Sequence, residues 1–112
     1  MRAITRQGNV RTIDLQSIRM QHRKYLILRA LYDETDNRLN ERVIADVLNL
    51  YAVGGTRDDL RSAYEDLMRE GFLDIVVVDD IQVLSLTLRG AELVERKVTS
   101  ETIYRPGPGE RY

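Results

Sequence analysis

Apolar and polar positions along this chain change period twice, and those changes divide it into elements. Leu60, Ala63, Tyr64, Leu67 and Met68 recur at helical spacing. Before them stand Gly54, Gly55 and Thr56, a turn-forming pair and a helix-capping residue, with Asp59 three positions on to complement the helix start. After them stands Gly71, placed where a helix ends on a positive φ. The pattern predicts a capped helix of about four turns that follows a tight turn, the second helix of a helix-turn-helix unit.

The helix before that turn is predicted from an Asn40 cap, with Val43, Ile44, Val47, Leu48 and Tyr51 on one face. Asp33 to Arg38 reads as a polar loop. Upstream, a first helix is predicted from an Asp14 or Ser17 cap to about Glu34. Its middle, Tyr25 to Tyr32, is apolar on more than one side. A helix of that kind is central to a domain or shared with a second subunit. Residues 1–13 alternate loosely through Ile4, Val10 and Ile13, and read as an arm with a short strand or as a disordered terminus.

Beyond Gly71 the period becomes that of a strand. Phe72 to Val78 and Ile81 to Leu86 are rich in β-branched residues, with Asp79-Asp80 between them as a two-residue turn. That turn sets Val78 opposite Ile81 and Val76 opposite Val83. Leu73, Ile75, Leu84 and Leu86 then share the core side, while Val76, Val78, Ile81 and Val83 form an exposed apolar face suited to a dimer or another partner. Thr87 caps a last helix, Leu88 to about Val98. Thr99 to Tyr112, with Pro106-Gly107-Pro108-Gly109, keeps no period and reads as an extended or flexible tail.

Helix, helix, helix, hairpin, helix is the order of a winged-helix domain, an α+β fold. Leu67-Met68-Arg69-Glu70-Gly71-Phe72-Leu73 resembles the junction between third helix and wing in winged-helix repressors. Leu84-Ser85-Leu86-Thr87-Leu88-Arg89-Gly90-Ala91-Glu92-Leu93 resembles the way their final helix begins. Taken with Gln21 to Leu31, the chain also resembles small winged-helix proteins encoded in Mu-like prophages. The resemblance covers residues 17–98, between an arm (1–16) and the tail (99–112). It implies a transcriptional regulator in the cytoplasm of a bacterial host.

Charge complicates that expectation. The net charge of −1 hides an asymmetry. Residues 1–29 carry seven basic groups against Asp14 alone, and residues 30–95 carry six arginines against fifteen acids. In a helix-turn-helix, Thr56, Arg57, Arg61 and Ser62 would face the major groove, where arginine pairs with guanine. Arg19, Arg23 and Lys24 would meet phosphate. Yet Thr56 to Glu70 holds three arginines and five acids, and the wing tip is Asp79-Asp80, which repels phosphate. Duplex DNA and a homodimer are therefore the expected partners, with a protein-interaction adaptor that binds no DNA as the alternative.

Other chemistry finds little support. Cysteine is absent, so disulfides and thiolate metal sites are excluded. His22 is the single histidine and makes no zinc site without thiolates. No nucleophile elbow, phosphate-binding glycine loop or His-Glu-x-x-His motif occurs, so neither an enzyme nor a cofactor is expected. No apolar run approaches the roughly 20 residues of a membrane-spanning helix.

Overall fold

A computed structural model describes residues 14–112. The chain runs α1 (Leu15–Asp33), β1 (Arg38–Asn40), α2 (Glu41–Leu50), α3 (Arg57–Arg69), β2 (Leu73–Val78), β3 (Ile81–Leu86) and α4 (Leu88–Val94). This is an α+β fold with winged-helix organisation. The arm expected over residues 1–13 lies outside the described residues.

The helix starts follow their capping chemistry. Asp14 accepts from the Ser17 amide, and Asn40 from those of Arg42 and Val43. Thr56 and Asp59 form a reciprocal capping box, and Thr87 accepts from the Gly90 amide. The ends of α2, α3 and α4 share one device. Ala52 (φ 59°), Gly71 (φ 83°) and Arg96 (φ 66°) each turn left-handed. The next amide then reaches back: Val53 to Leu48, Phe72 to Leu67, Lys97 to Glu92. Only one of the three is glycine. The Arg96 closure stops α4 at Val94, short of the Val98 expected from its composition.

Gly54-Gly55 also departs from the expected reason. Neither has a positive φ; the left-handed residue of the turn is Ala52. Glycine there leaves room for neighbouring side chains, which a larger residue would have to displace. A Cβ on Gly54 would lie 1.9 Å from Asn49 Oδ1, and one on Gly55 would sit 2.9 Å from both the Arg23 guanidinium and the Asp59 carboxylate.

The hairpin has the expected register, Val78 opposite Ile81 and Val76 opposite Val83. Asp79 and Asp80 both adopt positive φ (50° and 65°), as a two-residue turn matched to strand twist requires. A third strand, β1, begins at Arg38, the last residue of the expected polar loop, and runs to the Asn40 cap. It pairs Arg38 with Ser85 and Asn40 with Val83, giving an antiparallel sheet ordered β1-β3-β2.

The core gathers Ile27, Leu28 and Leu31 of α1, Ile44 and Leu48 of α2, Tyr64 and Leu67 of α3, with Phe72, Leu73 and Leu84. Met68, counted with the apolar face of α3, is exposed. The apolar girth of α1 is explained inside the chain, because the expected flexible tail closes over it. Ile103 is buried, and the Tyr104 amide donates to Gln21 O at 3.0 Å. The Tyr104 ring stacks on His22 at 3.8 Å, and Tyr112 Oη meets His22 Nδ1 at 3.1 Å. Ser100 and Thr102 donate to the Glu70 carboxylate, fastening the tail to the end of α3. No helix among the described residues is long and apolar enough to cross a membrane.

Candidate nucleic-acid interface

The unit that would meet DNA is α2, its turn and α3, flanked by the β2–β3 wing. Arg23 fixes the turn. It comes from the face of α1 that also carries Ile27 and Leu31, and is 3% exposed. Its Nε donates to Val53 O at 2.9 Å and its Nη2 to Gly54 O at 3.0 Å. The guanidinium thus satisfies two carbonyls ahead of the α3 cap. Lys24 is 4% exposed and pairs with Asp66 of α3 at 3.2 Å, where Asp66 also binds Arg69 at 2.7 Å. Arg23 and Lys24, expected against phosphate, are used inside the domain to orient α3. Arg19, one turn before Arg23 on the same face, is exposed.

Arg57 and Arg61 are drawn toward the wing. Arg57 Nη2 donates to Asp80 O at 3.2 Å, and Arg61 Nη2 to the same carbonyl at 3.1 Å. Arg61 also makes a two-point pair with Glu41, Nε to Oε1 at 3.0 Å and Nη2 to Oε2 at 2.8 Å. Glu41 Oε2 accepts in addition from the Gln82 amide at 2.7 Å. One carboxylate therefore joins the start of α2, the middle of α3 and the wing. The Arg61 hydrogen bond, with that of the Gln82 amide, holds the Glu41 carboxyl below its ordinary pKa, against the opposing effect of burial. Hydrogen bonding to Glu41 raises the Arg61 pKa in turn.

The consequences for base reading differ between the two arginines. Arg61 has given the planar fork it would offer a guanine to Glu41. Arg57 is exposed and commits one of its five donors. Thr56 and Ser62 are exposed beside it. The same surface carries exposed Asp58, Asp59, Glu65, Asp79 and Asp80. Asp59 is held below its ordinary pKa by the Thr56 amide and hydroxyl, so it stays a carboxylate at the helix start.

Between α2, α3 and the wing tip lies a groove of about 590 Å³, with Arg42, Arg57 and Asp79 among its lining residues. Tyr64 borders it and is buried, its hydroxyl without a partner among the described residues, and burial pushes that hydroxyl's pKa up. No group of three or more His, Asp or Glu side chains among the described residues is arranged to hold a metal ion. On the outer face of the hairpin, Val76 (54%) and Val78 (50%) are exposed, whereas Ile81 and Val83 are partly covered.

Sequence reasoning missed Glu41, Gln82 and the Asp80 carbonyl as the partners that occupy α3's arginines. A signal for Arg23 was present, since Arg23, Ile27 and Leu31 follow one another at four-residue steps. A charge in line with a core stripe implies an internal partner.

The chain is similar to the uncharacterized protein gp26 of Escherichia phage Mu, at 28% identity over 94 residues, 84% of this chain and 97% of that protein. This likeness supports a phage-related protein. No protein-family model matches the chain, and no solved structure matches it.

Proposed function

We propose that this chain is a phage or prophage transcriptional regulator that binds duplex DNA with α3 in the major groove. The observation that carries the reading is the clamped α2–turn–α3 unit, which presents Thr56, Arg57 and Ser62 outward from a helix that Arg23 and Lys24 hold in place. Arg57 reads base edges, Thr56 and Arg19 meet phosphate, and Arg61 positions the wing instead of touching DNA. The Asp79-Asp80 tip is kept against α3 by its backbone carbonyl, so the wing braces the helix and makes no groove contact. The reading places the protein in the host cytoplasm, gives it no catalytic step or cofactor, and keeps a homodimer through the exposed Val76 and Val78.

Fluorescence anisotropy on labelled duplexes tests it. Binding is expected at about 50 mM salt and falls steeply toward 200 mM. Arg57→Ala is expected to weaken it about tenfold or more, and Arg19→Ala to weaken it evenly across sequences. Absence of binding at the lower salt would overturn the reading.

A second reading, an adaptor that docks a basic protein, is favoured by one observation. Asp58, Asp59, Glu65, Asp79 and Asp80 are all exposed around the α3 face, while Arg61 is paired by Glu41. It predicts no affinity for DNA and a partner whose binding weakens when these acids are replaced by their amides.

A further inference from the structure

The C-terminal tail does more than cover α1. Where it passes the end of α4, the described residues leave a cavity of about 270 Å³ between Tyr25 of α1, the last turn of α4 and residues 98–106. Its walls are apolar. Leu93, Val94 and Ile103 are buried there, and Val98 is half-buried. The Tyr104 hydroxyl donates to Glu110, which leaves the ring as its contribution to the wall. An apolar cavity of about 150 Å³ holds one benzene ring, so this one has room for a two-ring molecule.

Charge at the mouth selects the occupant. The exposed charged side chains of the lining are Arg96, Glu101 and Arg105, two cations against one acid. Arg96 is the left-handed residue that closes α4 (φ 66°), a position where glycine or asparagine is usual. A side chain kept at such a position points to a use for it. Its Nη2 donates to Gly107 O at 3.4 Å and so commits one of five N–H groups. Apolar walls beneath two guanidinium groups suit a flat apolar body carrying one carboxylate, which arginine binds through paired donors.

We propose that this cavity is a ligand site for a small two-ring aromatic carboxylate. The rings sit among Leu93, Val94, Val98 and Ile103, and Arg96 and Arg105 hold the carboxylate. The site is tied to α3 through the tail. Ser100 and Thr102 of the same segment donate to Glu70, at the end of α3, at 2.8 and 2.9 Å. Tyr104 stacks on His22, the residue before the Arg23 that holds the turn. An occupant stabilises the tail in this seat, and with it the hold on the last turn of α3. Binding holds whether or not α3 meets DNA.

Methyl-resolved NMR of the full chain titrated with 2-naphthoate tests it. Saturable binding with a Kd below about 1 mM is expected. Ring protons of the probe should show Overhauser contacts to the methyls of Leu93, Val94, Val98 and Ile103. The R96Q/R105Q variant is expected to weaken naphthoate about fivefold or more and to leave the uncharged 2-naphthylmethanol unchanged. Val98→Phe fills the cavity and is expected to abolish binding of both probes, with the Ile27 and Leu31 methyls at their native shifts. If Val98→Phe disturbs those core shifts, the Overhauser contacts and R96Q/R105Q decide. No saturation up to about 5 mM, or contacts confined to other methyls, overturns the site. Equal affinity for the two probes, unchanged in R96Q/R105Q, overturns the assignment of a carboxylate.

Discussion

Glu41 shows how a single side chain can redirect a surface. A carboxylate at the first position of a helix already complements the helix dipole. Here it also receives Arg61 and the Gln82 amide, and so couples α3 to the wing. Its pKa in the folded protein lies below the ordinary glutamate value of 4.5, so the stabilisation it confers is present above that value. It is lost as pH falls below 4.5 through the folded-state pKa. Urea unfolding followed from pH 7 to pH 3 is expected to show a smaller drop in midpoint for Glu41→Gln than for the native chain. A similar cost comes from Arg23. Arg23→Ala leaves the Val53 and Gly54 carbonyls without a buried donor, and should destabilise by about 2–3 kcal/mol in denaturant titration. The role of Glu41 was not legible in the residue pattern, because its partners, the Arg61 side chain and the Gln82 backbone amide, stand 20 and 41 positions away. For Arg23 the pattern signalled an internal partner, but not the Val53 and Gly54 carbonyls, which are backbone groups that every residue shares.

The elements were legible where a local chemical signal coincides with a change of period. Asn40, Thr56 and Thr87 each cap as their side chains require, and Asp79-Asp80 alone set the whole hairpin register. Gly90 marks a further signal with a geometric reason. A Cβ there would fall 2.1 Å from Phe72 O, so the close seating of α4 on the α3–β2 junction admits only glycine. Three features stayed hidden for different reasons. The β1 strand has three residues, too few to show alternation. The left-handed turns at Ala52 and Arg96 carry no glycine to announce them. The tail has no period because it packs as an irregular strap through Ile103, Tyr104, Pro106 and Tyr112. Ile103→Ala is expected to cost about 2–4 kcal/mol, read by the shift in denaturation midpoint. A disordered tail would give no change.

Over the whole molecule, the balance of charge and the shape of the fold point in different directions. The fold presents a helix-turn-helix clamped from behind by α1, and the acidic middle of the chain surrounds the helix it presents. Net charge governs encounter and nonspecific affinity, not the fold. The reading therefore rests on a small set of exposed groups, Arg19, Thr56, Arg57 and Ser62, and assigns Arg23, Lys24 and Arg61 to internal clamps. The tail strap also revises the case for a dimer. The apolar middle of α1, Tyr25 to Leu31, is covered within the chain, and the outer valines of the hairpin are what a two-fold contact would use. The most direct measurement is a backbone amide shift map of the full chain titrated with a mixed-sequence duplex at about 50 mM salt. The account predicts the largest changes at Thr56, Arg57, Ser62 and Arg19, with Val76 and Val78 still. Changes confined to the wing, or none at all, would contradict it.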